Sequence, residues 1–149
     1  MIFPYHQYEV RPIPGQNEGV IYRPMVPIHV SGPLGTQIIL GLVDTGSDVT
    51  VLPSFLLPLV GAAGIDAPEA DFRGVGGQVV TARYSRVELS LHHRDGIYRW
   101  PTEVGFLDGR DVAILGSSGF LEHFNATFNS ERHQLALKSN KRFPGNGKG

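Results

Sequence analysis

The sequence predicts an all-β fold with one or two short helices. Three observations carry that prediction. Apolar residues recur mainly at every second position, the period of a strand with one face buried. The apolar runs are short and are punctuated by turn residues. Glycine (19) and proline (11) are abundant but follow no repeat, which suits many turns between short strands and excludes collagen.

The elements follow in order. Residues 1–23 are rich in proline and polar groups and read as an N-terminal arm or loose first strand. Met25–Val30 and Thr36–Val43 are apolar runs separated by Ser31-Gly32-Pro33-Leu34-Gly35, which predicts a β-hairpin. Alternation puts Ile38, Leu40, Leu42 and Asp44 on one face, so Asp44 is expected at the end of a buried strand. Val49–Leu52 is another short strand. Ser54–Val60 reads as a short helix capped by Ser54 and ended by Gly61 or Gly64, with Pro58 a blemish inside it.

Phe72–Val80 is expected to be a hairpin with a flexible tip at Gly74-Val75-Gly76-Gly77. In Tyr84–Leu91 the pattern sends Val87, Leu89 and Leu91 inward and Arg86, Glu88 and Ser90 outward. His92–Gly96 turns the chain and Ile97–Phe106 returns. Val112–Leu115 is a brief apolar strand, Gly116–Phe124 a short helix, and Ala126–Asn129 with Gln134–Leu137 a closing hairpin. The expected organisation is an arm over 1–23, a folded domain over 24–138 and a flexible tail over 139–149.

Composition narrows the function. The chain has 149 residues, 41% of them apolar and 18% charged, enough for one domain with a core. A net charge of −1 gives no electrostatic footprint for nucleic acid or an anionic membrane. With no cysteine, thiolate catalysis, disulfides and cysteine-ligated metals are excluded. The first residues, MIFPYHQYEVRP, lack the pattern of a signal peptide, and the apolar stretch near Val49–Ile65 is broken by Pro53 and Pro58. A soluble, cytoplasmic protein is expected. The six histidines lack metal-ligand spacing. Gly74–Gly77 is no nucleotide loop, Gly116-Ser117-Ser118-Gly119 is no nucleophile elbow, and Asn125-Ala126-Thr127 is a sequon that arises readily by chance. No metal and no cofactor are expected.

The segment that points to chemistry is Leu42-Val43-Asp44-Thr45-Gly46-Ser47. A carboxylate at the end of an apolar strand costs desolvation if ionised alone. Gly46 permits a tight turn and Thr45 adds a short hydroxyl. Taken alone, the tripeptide also fits a structural Asx-turn. Two further landmarks accompany it: the glycines at 74–77 followed by Gln78–Leu91, and Ile114-Leu115-Gly116 followed by Gly119-Phe120-Leu121 and a final hairpin. In these three landmarks, in this order, residues 24–138 resemble the retropepsin-like aspartic proteases.

That resemblance implies a closed acid-protease-type barrel with one lobe per chain, and an aspartic endopeptidase active as a homodimer on peptide or protein substrates. It makes Asp44 the catalytic carboxylate. Thr45 would bond across the dimer axis, Gly46 would offer its carbonyl to substrate, and Ser47 would hydrogen-bond the carboxylate. Gly74, Val75, Gly76 and Gly77 would form a flap over the peptide, and Leu42, Asp48, Val112 and Ile114 would border it. Gly116 would let the helix pack behind the catalytic loop. Departures are also visible. Asp48 matches the family's loop aspartate, yet Ser117 stands where retroviral members carry its arginine partner. Arg73 stands where many flaps have glycine, and the pepsin-type flap tyrosine has no match.

The mechanism requires two carboxylates that share one proton. No second Asp-Thr-Gly or Asp-Ser-Gly occurs; Asp95-Gly96 and Asp108-Gly109 lack the middle hydroxyl residue. The resemblance therefore implies Asp44 opposite Asp44 across a two-fold axis, with activity at acidic to mildly acidic pH. The alternative from another class is a non-catalytic dimeric peptide-binding module on the same fold.

Overall fold

A computed structural model describes residues 1–62, 68–73 and 77–145. The described chain is mostly strand, built around a closed barrel of six strands. The barrel opens with β4 (Met25–Gly32) and β5 (Gly35–Val43), the expected hairpin, in register from Met25↔Leu42 to Gly32↔Gly35. The turn shrinks to Pro33-Leu34, so both strands are longer than the apolar runs alone suggest. Next to β5 lies β10 (Ala113–Leu115), parallel to it, then β6 (Val51–Pro53). β9 (Gly96–Leu107) and β8 (Val79–His93) follow as a long antiparallel pair. β8 then returns to β4 through His29↔Ser90, Val30↔Leu89 and Ser31↔Glu88, which closes the barrel. β7 (Glu69–Arg73) extends beyond it, paired with the first part of β8 from Glu69↔Arg83 to Arg73↔Val79. The tip expected between them, Gly74-Val75-Gly76, lies outside the described residues; Gly77 is exposed with φ +81°.

Residues 1–23 do not form a loose arm. β1 (Ile2–Pro4) pairs with β12 (Gln134–Ser139), which pairs in turn with β11 (Phe124–Asn129), while β2 (His6–Glu9) and β3 (Val20–Arg23) make a separate hairpin. Phe3 is the reason β1 docks: its ring enters the same core as Leu135 and Leu137. That core is continuous with the barrel interior and centres on the fully buried Trp100, with Phe120 and Phe124 against it. Phe143, in the segment expected to fray, also packs on Trp100, with ring centroids 5.7 Å apart. Burying this aromatic surface contributes roughly 1.5–3 kcal/mol per side chain.

Several local expectations are modified by what the backbone bonds to. The helix is α1 (Leu56–Val60), with Phe55 rather than Ser54 at its N-cap, so it starts one residue later than Ser54 would start it. No side chain caps it; the Ser54 hydroxyl donates to Asp108 instead. Pro58 is harmless because it lies in the first turn, where an N–H has no intrahelical acceptor. Gly61, φ +71°, ends the helix and donates its N–H to the Leu57 carbonyl, as a left-handed cap should. The helix expected over Gly116–Phe124 is only a 3₁₀ turn at Leu121–His123. In β8, Val87, Leu89 and Leu91 are buried as expected, but Ser90 is buried too. Its outer face is covered by His92, whose ring stacks on His29 at 3.7 Å and lies 3.2 Å from the Ser90 hydroxyl.

Candidate functional site

Asp44 follows β5 directly, and the loop that carries it is held from two sides. The parallel register Gly41↔Ala113, Leu42↔Ile114, Val43↔Leu115 is continued by the Asp44 N–H, which donates to the Leu115 carbonyl at 3.1 Å. One carboxylate oxygen of Asp44, Oδ1, accepts the Gly46 N–H at 2.8 Å, and the Ser47 N–H donates to the Asp44 carbonyl at 3.3 Å. This is an Asx-turn, but it does not consume the carboxylate. Among the described residues no hydrogen bond engages Oδ2, and the side chain is half-buried.

The exposure of Asp44 has a cause in β5. The face shared by Ile38, Leu40, Leu42 and Asp44 is the open one, with Ile38 64% exposed. The core face carries Ile39, Gly41 and Val43. The expectation of a buried face leading to Asp44 is thus reversed by one residue, which shifts every side chain to the other side.

Behind the loop, Gly116 makes a contact that no side chain permits. A Cβ there would sit 2.2 Å from the Val49 carbonyl oxygen and 2.7 Å from that of Ser47. The N–H groups of Ser117 and Ser118 donate to the Ser47 and Asp48 carbonyls, each at 2.9 Å. These bonds tie the segment after β10 to the catalytic loop, and the chain closes into a 3₁₀ turn only further on, at Leu121–His123. Thr50 completes the brace. It is buried; its hydroxyl donates to the Ser118 carbonyl at 2.8 Å and accepts the Gly116 N–H at 3.2 Å. Sequence reasoning missed Thr50. The available signal was a hydroxyl residue between Val49 and Val51 in an apolar strand, where it must find partners.

The Ser47 hydroxyl does not reach the carboxylate. It donates to the Val49 carbonyl at 2.8 Å. The donor to Asp44 is the Gly46 backbone. Thr45 is exposed, and its hydroxyl forms no hydrogen bond among the described residues.

Asp44 opens onto a cleft of about 490 Å³. Gly46, Ser47, Asp48 and Ile114 border it, as do Val49 and Val51. Val80 and Leu107 add apolar wall, and Asp71, Arg73 and Arg110 add charge. Leu42 and Val112 do not line this cleft. Leu42 is half-buried in β5 between Met25 and Ile114. Val112 lies in the bend before β10 begins at Ala113, so the strand alternation that places Ile114 does not extend back to it. Val75, Gly74 and Gly76 lie outside the described residues, and Gly77 is not part of the cleft wall. The sequence expectation noted Arg73 only as a departure and omitted Asp71 and Arg110; β7 brings Asp71 and Arg73 to the cleft, and the β9–β10 loop brings Arg110.

A half-buried carboxylate with one oxygen fixed and the other open can orient a water or accept its proton. With a second carboxylate close by, the two would share a proton and act as a base–acid pair. Comparison with known proteins bears on which chemistry this is. A family model described as retroviral aspartyl protease matches residues 21–122. The search of curated proteins returns no match.

Proposed function

Because the chain belongs to the retroviral aspartyl protease family, which implies aspartic protease activity, we propose that it is an endopeptidase in which two copies each contribute Asp44. The observation that carries this reading is the Asp44 loop: a carboxylate with one oxygen held by the Gly46 N–H and the other open to a cleft. Gly116 and Thr50 hold that loop in place.

In the proposed reaction the ionised Asp44 removes a proton from a water bound between the two carboxylates. The oxygen attacks the scissile carbonyl carbon while the protonated partner carboxyl donates to the carbonyl oxygen. The tetrahedral diol then collapses: one diol hydroxyl returns its proton to the partner carboxylate as the C=O bond re-forms, the C–N bond breaks, and the amine leaves with the proton that Asp44 took from the water. No covalent enzyme intermediate forms. Thr45, exposed beside Asp44, is suited to bond the opposite loop across the axis. Residues 74–77 would close over an extended peptide. Val80, Leu107 and Ile114 offer apolar surface to side chains near the cut.

One carboxylate must be ionised and one protonated, so activity should pass through a maximum on the acidic side of neutrality. The decisive experiment is Asp44→Asn assayed on a peptide library alongside the wild type. Cleavage should fall by on the order of 10³-fold or more, with the unfolding midpoint and sedimentation behaviour retained. Undiminished cleavage by that variant would remove Asp44 from the mechanism. Peptide binding without cleavage by the wild type would instead favour a non-catalytic module.

A further inference from the structure

Resting on the endopeptidase reading, we infer that Arg73 and Arg110 select substrates with acidic side chains, at fixed positions on both sides of the scissile bond. The two arginines come from different parts of the fold. Arg73 ends β7, and Arg110 lies in the loop between Leu107 and Ala113. Both line the cleft that contains Asp44, and both are exposed to it without a carboxylate partner among the described residues. Arg83 and Arg94 have carboxylate partners, Asp108 at 3.7 Å and Asp95 at 3.8 Å; what distinguishes Arg73 and Arg110 from the remaining arginines is that they line the cleft.

The cleft also contains Asp48 and Asp71, which could have served the arginines but do not. Asp71 accepts a hydrogen bond from the Thr81 hydroxyl at 2.6 Å, across the β7–β8 pair. The Asp48 carbonyl is engaged by Ser118, and its side chain forms no ion pair among the described residues. The guanidinium forks of Arg73 and Arg110 are therefore available to an incoming group. A guanidinium presents paired donors in a plane that matches a carboxylate. Val49, Val51, Val80, Leu107 and Ile114 supply the apolar part of the wall. The combination fits a peptide with apolar residues at the cut and Asp or Glu where the arginines reach. In the proposed dimer each arginine occurs twice, so the preference repeats on both sides of the bond.

The test sequences the cut sites made in a random peptide library by the wild type, by Arg73→Glu and Arg110→Glu, and by the double variant. Wild-type sites should be enriched in Asp and Glu about two- to fivefold at fixed distances from the cut, the size of effect expected from a solvent-accessible ion pair. The enrichment should shrink as salt is raised to about 0.5 M and reverse toward Lys and Arg in the double variant. A parallel arm measures binding of fluorescent Glu- and Lys-containing peptides to Asp44→Asn, with and without the two arginine substitutions. Tighter binding of the Glu peptide, lost on charge reversal, supports the inference independently of turnover. Cleavage that depends on Asp44 but shows no acidic enrichment, or enrichment that survives in the double variant, overturns the arginine role and leaves the endopeptidase reading intact. Absence of Asp44-dependent cleavage overturns the endopeptidase reading, and equal binding of the two peptides then overturns the arginine role as well.

Discussion

Thr50 illustrates how much of the site depends on a side chain that never faces the cleft. Its hydroxyl serves two partners on the segment behind the catalytic loop, accepting from Gly116 and donating to Ser118. Thr50→Val preserves shape but removes both bonds and strands the Gly116 N–H in a buried position. Stability should fall by about 1–3 kcal/mol, read as a lower urea midpoint at unchanged slope. Because the loss acts on the loop that aims Asp44, cleavage should weaken as well. An unchanged midpoint would show that the brace contributes nothing. The same reasoning explains Gly116, whose absent Cβ leaves room for the Val49 and Ser47 carbonyls. The donor to the carboxylate is likewise a backbone group, Gly46 N–H, because the Ser47 hydroxyl is engaged by Val49.

Among the elements, the β4–β8 seam is the part of the barrel most exposed to pH. It is held through three residue pairs and carries the stacked rings of His29 and His92. Burial, then the neighbouring His92 and Arg99, lowers the pKa of His29 below its ordinary 6.5. The folded state thus holds the neutral ring, and the unfolded chain takes up a proton first on acidification. The stability this provides is complete above the ordinary value and is lost as pH falls through 6.5 toward the lowered one. Glu88, opposite Ser31 at the far end of the seam, is the nearby carboxylate on β8. Thermal unfolding at about pH 7.5 and about pH 5.5 should show a lower Tm at the acidic value, and His29→Asn should flatten that difference. A wild-type Tm that is level or rises on acidification would contradict the assignment. If the proposed protease works in mild acid, its barrel seam operates below its most stable pH.

For the whole molecule the governing fact is that one chain carries one Asp-Thr-Gly. In the proposed dimer, activity is tied to assembly, so specific activity should fall on dilution below the dissociation constant. Adding excess Asp44→Asn chain to a fixed amount of wild type should suppress cleavage further, by drawing wild-type chains into mixed dimers that lack one carboxylate. Activity proportional to concentration over several decades and indifferent to the inactive chain would mean that a single copy suffices. The described residues contain no helix long and apolar enough to cross a membrane.

The sequence alone determined the all-β class, the order of the main hairpins and the position of the Asp44-Thr45-Gly46 turn. These follow from period-2 alternation and turn chemistry, which act between residues a few positions apart. Tertiary structure decided which face of β5 meets the core, because Ile39 and Ile38 are equally apolar and only the pairing of β5 with β4 and β10 chooses between them. It also docked β1 through Phe3, cut the Gly116–Phe124 helix to a single turn, directed the Ser47 hydroxyl to Val49 and excluded Leu42 and Val112 from the cleft. Arg73 and Arg110 share a cleft with Asp44 only because the strand order brings β7 and the β9–β10 loop to one mouth. Contacts between residues so far apart in the chain are set by strand order and register, which local pattern does not encode.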